Sequence, residues 1–268
     1  MNQQATNVPV LPAKPADRIF PVPGWLGLLV VVIIYFISMS LGVVLLNLYP
    51  ALMGWGPVQA DTWLSSSTSA QFAYVFAVEA ITIGLLWFFM RMVKIGWSQI
   101  GLIRPKLKYF GVALLAYGPY FVLNAAATLG AVALFDLDAG QAQQTGFEAV
   151  RSTSDLALTF VSLVILPPLV EEIVMRGFLF SSLKRNLTVV RATIVTSVVF
   201  AIAHLQFGSG APLLWVAAID TFVLSLVLCY LRQKTGNLWA GIGLHAIKNG
   251  LAFTVLFLVP NTEFLQGL

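Results

Sequence analysis

The chain is short of charge and of cysteine, and each shortage excludes a class of protein. Asp, Glu, Lys and Arg make up 10% of its 268 residues, whereas about a quarter of a soluble domain is charged. A single cysteine, Cys229, excludes an internal disulfide framework. Because 59% of the residues are hydrophobic, the composition predicts a membrane protein. The net charge of +4 does not indicate a nucleic-acid partner, since the basic residues lie in short loops between apolar runs.

Long apolar runs predict an all-α fold, a polytopic membrane helix bundle with about seven to eight transmembrane helices. The seven runs cover residues 25–46, 70–90, 109–135, 156–183, 191–207, 212–231 and 237–259. The fifth run is short for a crossing, which needs about 20 residues, so it either reaches 207 or ends inside the bundle. We expect residues 1–24 to form a flexible cytoplasmic tail and residues 25–268 to form the membrane domain.

The loops differ in charge, and this difference predicts the orientation. Basic residues cluster in the N-terminal tail and in the loops at 91–108, 184–191 and 232–234, whereas the other loops are uncharged or mostly acidic. Cytoplasmic loops carry the excess of Lys and Arg. The loops therefore predict a cytoplasmic N-terminus. We also expect an integral protein of a bacterial plasma membrane, with membrane lipid as a partner.

A few ionisable residues interrupt the apolar runs. Such groups are costly in a bilayer, and each is by default a candidate for function. Counted along straight helices, five of them lie roughly 17 to 20 Å from the nearest basic residue of a cytoplasmic loop. These five are Glu79, Glu172, His204, Asp220 and His245. Their common depth predicts that they converge inside the bundle.

Two adjacent glutamates lie in the fourth run. Glu172 and Arg176 are four residues apart and share a helix face, so we predict an ion pair between them. Glu171 points about 100° away and stays free to take a proton from water. The alternative is a structural cluster of all three charges. Just upstream, Pro167 and Pro168 remove two backbone hydrogen bonds, to the carbonyls four residues before each, and predict a kink.

Both histidines of the chain have a partner four residues away. Phe200 precedes His204, so its ring can support the imidazole, although a membrane histidine also forms hydrogen bonds between helices. His245 precedes Asn249, and the two can donate to a developing oxyanion or form a polar packing seam. His204, His245 and Glu171 are also the candidate ligands of a zinc ion, although no His-Glu-x-x-His motif is present.

Two further carboxylates lie in apolar runs. Asp220 either orients an imidazole or pairs with Lys248, and we expect a supporting role for it. Glu79 has the same two options or lines a polar path, and for it too we expect a structural or supporting role. Buried carboxylates and histidines also line transport pathways, so a transporter whose flux depends on Glu79 or Asp220 stays an alternative.

Three motifs in one order carry a resemblance to a known family. Glu-Glu-x-x-x-Arg begins at Glu171, Phe-x-x-x-His at Phe200 and His-x-x-x-Asn at His245. This ordered set resembles the CPBP family of intramembrane proteases, which includes the type II CAAX prenyl endopeptidases and bacteriocin-processing proteins. The matched core covers about residues 156–253. The resemblance implies cleavage of a peptide bond in a membrane-associated or lipidated protein or peptide.

The resemblance also implies a role for each motif residue. Glu171 would be the base that activates water, and His204 would help to hold that water. His245 and Asn249 would stabilise the tetrahedral oxyanion. Glu172 and Arg176 would orient the site. The supporting roles of Phe200 and Asp220 rest on their spacing and burial in the sequence, not on the resemblance. The family is classed both as metal-dependent and as glutamate-dependent, so zinc stays open. A non-proteolytic membrane scaffold with the same fold is the main alternative hypothesis.

Overall fold

The computed structural model of the chain describes residues 20–138, 146–147, 150–205 and 213–259. Most of the predicted N-terminal tail lies outside them. The described residues form helices and no strand. Six of these helices are long and apolar enough to cross a membrane: α1 (Gly24–Leu52), α3 (Thr68–Met92), α4 (Leu107–Phe135), α5 (Thr153–Leu183), α7 (Trp215–Thr235) and α8 (Trp239–Leu258). Two are shorter: α2 (Pro57–Ser66) and α6 (Val189–Ala203). The predicted all-α polytopic bundle is confirmed.

The short helix α6 corresponds to the fifth apolar run. It begins after Thr188, whose side chain accepts a hydrogen bond from the backbone N–H of Arg191, and it ends at Ala203 after 15 residues. At 1.5 Å per residue this is about 22 Å, less than the roughly 30 Å of a bilayer core. The shorter of the two predicted alternatives is therefore observed, and His204 follows the last turn of α6.

Helix α5 lies at the centre of the bundle. It packs against α1, α3, α6, α7 and α8, and every residue from Glu172 to Leu183 is buried. A Cβ atom at Gly27 would lie 2.4 Å from the Cβ of Ser182, so this glycine lets α1 cross α5 closely. The outer helices expose apolar side chains instead, as lipid-facing helices do.

Two stretches of α5 are π-helical, with wider turns than those of an α-helix. The first, Val161–Ile165, ends two residues before Pro167, so the helix is irregular where the prolines at 167 and 168 predict it. The second, Glu172–Leu179, carries both charges of the predicted ion pair. Wide turns of this kind occur often at functional sites. Each wide turn changes the direction of the side chains that follow it. Glu171 ends an α-helical segment and Glu172 begins the second wide segment, so the two glutamates lie at the boundary between them.

Candidate active site

The carboxylate of Glu172 joins α5 to α8. Its Oε1 atom lies 2.8 Å from Nη1 of Arg176 and 3.3 Å from Nδ1 of His245, and the side chains of Glu172 and Arg176 are fully buried. The predicted ion pair is thus present. An ionised carboxylate only accepts hydrogen bonds, so Nδ1 of His245 carries the hydrogen. The contact to His245 orients the imidazole of α8 from α5.

A glycine in α8 makes this contact sterically possible. A Cβ atom at Gly241 would lie 2.9 Å from Oε2 of Glu172. Gly241 precedes His245 by four residues, so both lie on the same face of α8. Because residue 241 has no side chain, this face approaches the buried carboxylate closely. The sequence interpretation missed Gly241, since its importance depends on a contact between two helices.

Glu171 is the more accessible of the two glutamates. Its side chain is 28% exposed, whereas that of Glu172 is 0% exposed. Its Oε2 atom lies 3.8 Å from Nε2 of His245, which is beyond hydrogen-bonding distance. Glu171 therefore lies beside the imidazole without being bonded to it. This position fits a carboxylate that is free to bind water.

The ring of Phe200 packs against three residues of the motifs. Its centroid lies 4.6 Å from that of His204 and 6.0 Å from that of His245. The guanidinium carbon of Arg176 lies 4.4 Å from the same centroid, in the range of a cation–π interaction. The contact with His204 was expected from the sequence, whereas the other two join α6 to α5 and α8. The ring of Phe200 thus contacts residues of all three motifs.

His204 is oriented by the backbone at the end of α6. Its Nδ1 atom lies 2.8 Å from the carbonyl oxygen of Phe200, one of the carbonyls that a helix end leaves without a backbone partner. A carbonyl only accepts, so Nδ1 carries the hydrogen, and Nε2 of the neutral ring is an acceptor. This nitrogen can accept a hydrogen bond from water.

Asn249 donates a hydrogen bond that a proline in α5 cannot donate. Its Nδ2 atom donates to the carbonyl oxygen of Leu163 at 2.9 Å, and this is the carbonyl to which Pro167 cannot donate. The predicted oxyanion role is therefore limited, because one of the two amide hydrogens is already used. The other hydrogen remains for a ligand.

Asn249→Ala should destabilise the fold, because it leaves the carbonyl of Leu163 without a donor. We expect the free energy of unfolding in detergent to fall by about 1–3 kcal/mol. Asn47→Ala is a matched control, since the Nδ2 atom of Asn47 also donates to a helix carbonyl, of Val43, but at an exposed site. The control should change the free energy by less than about 0.5 kcal/mol. Equal losses in the two variants would contradict this role of Asn249.

Asp220 pairs with a lysine rather than with an imidazole. Its Oδ2 atom lies 2.9 Å from Nζ of Lys248, and the hydroxyl of Tyr120 donates to Oδ1. The structure thus selects one of the two alternatives that the sequence left open. The three residues link α7, α8 and α4.

The candidate zinc ligands are not arranged as a zinc site. Within the part of the chain that the structure describes, no three His, Cys, Asp or Glu side chains are grouped to hold a metal ion. The Nδ1 atoms of His204 and His245 bond to protein oxygens and leave Nε2 of each ring open. These bonds alone do not argue against a metal, but Glu171, His204 and His245 are not grouped as a three-ligand set.

The central part of the chain matches a known protease family. Residues 153–251 match a family model described as type II CAAX prenyl endopeptidase Rce1-like. The match confirms the predicted resemblance. It covers a little over a third of the chain, from the start of α5 into α8, and contains all three motifs. No curated protein and no solved structure matches the chain. The six long helices and the match over residues 153–251 point to an integral membrane protein whose central segment is similar to a protease family.

Proposed function

We propose that the protein is an intramembrane endopeptidase that hydrolyses a peptide bond of a membrane-associated or lipidated protein or peptide. The observation that supports this most is the cluster of Glu171, Glu172 and Arg176 with His245, at the junction of α5 and α8. It combines an accessible carboxylate with a second, buried carboxylate that holds an imidazole beside it. The cluster lies within the segment that matches a protease family.

In the proposed reaction Glu171 is the general base. It takes a proton from a water molecule that Nε2 of His204 helps to hold, and the oxygen of that water attacks the carbonyl carbon of the substrate. The carbonyl oxygen then carries a negative charge. When the tetrahedral intermediate collapses, the C–N bond breaks, and the proton on Glu171 passes to the leaving nitrogen.

The oxyanion would face α8. The free hydrogen of the Asn249 amide is a donor that Leu163 does not use. His245 bonds to Glu172 through Nδ1, so its Nε2 atom donates to the oxyanion only when both ring nitrogens carry a hydrogen. Glu172 and Arg176 would act by fixing the His245 ring. We favour this glutamate-dependent mechanism because the donors do not form a three-ligand metal set.

A comparison of cellular cleavage products tests the proposal. Cells that express the wild type and cells that express Glu171→Gln at the same level would be compared for new protein termini in the membrane fraction. We expect at least one terminus that appears only with the wild type and is also lost with His204→Ala. That terminus would identify a substrate and its cleavage site.

The same experiment distinguishes the scaffold hypothesis. A scaffold keeps its cellular effect without cleavage, so wild type and Glu171→Gln would give identical termini and the same phenotype. Arg191→Met is a suitable control variant, because Arg191 is exposed at the start of α6, away from the motifs. It should give the same termini as the wild type.

A further inference from the structure

Lys248 lies on the same side of α8 as the two predicted oxyanion residues. It follows His245 by three residues and precedes Asn249 by one, within the regular helical stretch Trp239–Phe253. On an ideal helix these three side chains fall within an arc of about 100°. The family motif does not include this lysine, and the reaction described above does not use it.

The ammonium group of Lys248 is held in place but keeps hydrogens to donate. Its Nζ atom lies 2.9 Å from Oδ2 of Asp220, whose other oxygen accepts a hydrogen bond from Tyr120. The carboxylate is therefore fixed by two partners on two other helices. An ammonium has three N–H donors, so the bond to Asp220 leaves two for a ligand.

Near the site, the described chain has two cations paired with carboxylates, Arg176 and Lys248. Lys248 is the more accessible of the two. Its side chain is 21% exposed, whereas Arg176 is 0% exposed beneath Glu172. A substrate carbonyl that binds along the side of α8 that carries His245 and Asn249 would come within reach of the ammonium.

The site needs a further donor for the charge that develops on the substrate. The Nδ1 hydrogen of His245 and one amide hydrogen of Asn249 are already bonded to protein oxygens. In a site with little water, preorganised donors and cations stabilise an oxyanion more than they do in solution. We propose that Lys248 donates a hydrogen bond to the carbonyl oxygen of the scissile bond and stabilises its negative charge. Asp220 and Tyr120 are then positioning residues. This inference rests on the proposed endopeptidase function.

A structural ion pair between α7 and α8 is the alternative, and a double variant separates the two. Asp220→Asn/Lys248→Met removes both charges, and replacing both partners of a buried pair is often tolerated, whereas removing one partner is not. If Lys248 acts on the oxyanion, the double variant keeps the unfolding midpoint of the wild type but loses activity. If the pair is only structural, the double variant keeps both the unfolding midpoint and the activity of the wild type.

The test is steady-state kinetics of the purified full-length protein in detergent, with a peptide that spans the cleavage site found in cells. We expect the kcat of the double variant to fall by about 10²–10³, the usual effect of losing one oxyanion donor, with little change in KM. Lys248→Arg keeps a cation and should retain more activity than the double variant. Lys234→Met is the matched control, because Lys234 is exposed at the C-terminal end of α7, and its kcat should equal that of the wild type.

A double variant with the kcat of the wild type would overturn the inference. Should the double variant not fold, the exchanged pair Asp220→Lys/Lys248→Asp decides, because it keeps an ion pair but moves the cation off α8. A kcat near that of the wild type in the exchanged pair would likewise reject the role of Lys248. If the wild type itself cleaves nothing, the proposed function fails. If Glu171→Gln is inactive while the double variant is active, only the role of Lys248 fails.

Discussion

Glu171→Gln should lower the kcat of the purified protein by about 10²–10⁴, the usual contribution of a general base. Glutamine has the size of glutamate but cannot take a proton from water. The Glu171 side chain is partly exposed, and its Oε2 atom is buried without a hydrogen-bond partner among the described residues, 3.8 Å from Nε2 of His245, so the amide should fit without breaking a hydrogen bond. We therefore expect unchanged thermal unfolding in detergent and little change in KM. Kinetics and unfolding of the same preparation provide the measurement.

Glu79→Gln is the matched control for this prediction. Glu79 lies on α3, which packs against the Leu166–Glu171 part of α5, so the control makes the same chemical change in a neighbouring helix. The protease hypothesis predicts that Glu79 is dispensable for the cleavage chemistry. A kcat within about tenfold of the wild type for Glu171→Gln would contradict the role of Glu171 as the base. Substrate-driven flux that requires Glu79 would instead favour a transporter.

Contacts within one helix could be predicted from the sequence. The pair of Glu172 with Arg176 and the packing of Phe200 on His204 both follow from a spacing of four residues, which places side chains on one helix face. The irregular stretch near Pro167 follows from the missing N–H groups of proline. These features need no knowledge of how the helices pack, and for this reason the sequence alone was sufficient.

Contacts between helices could not be predicted in the same way. The sequence shows that the carbonyl of Leu163 loses its donor, but not that Asn249 of another helix supplies one. It also left Asp220 with two equal partners, and the choice of Lys248 depends on how α7 and α8 lie against each other. The packing of Phe200 on Arg176 has the same origin.

Helix ends were predicted less well than helix centres. Helix α1 continues to Leu52, beyond the predicted end at residue 46. The apolar run is interrupted at Asn47, but the side chain of Asn47 bonds to the carbonyl of Val43 within the helix, so the helix continues. Helix α2 was missed because it is short and mostly polar, although Pro57 in its first turn is a typical start signal.

Glu172→Gln should be the most destabilising single change in the ion pair at the site. It leaves the guanidinium of Arg176 fully buried without a carboxylate, and arginine cannot lose its proton in a protein. Removing one partner of a buried pair costs about 3–5 kcal/mol. We expect a loss of this size in the free energy of unfolding, measured in detergent or bicelles, together with loss of cleavage.

Arg176→Met should cost less than Glu172→Gln. In Arg176→Met the remaining carboxylate of Glu172 can bind a proton and become neutral. In Glu172→Gln the remaining guanidinium of Arg176 cannot lose its proton and stays charged. The double variant Glu172→Gln/Arg176→Met should regain most of the lost stability, because no buried charge remains, but it should stay inactive, because His245 has lost the carboxylate that orients it. Equal losses in the two single variants, or losses that add in the double variant, would show that the pair does not act as one buried unit. Recovery of cleavage in the double variant would show that Glu172 does not orient His245 for the reaction.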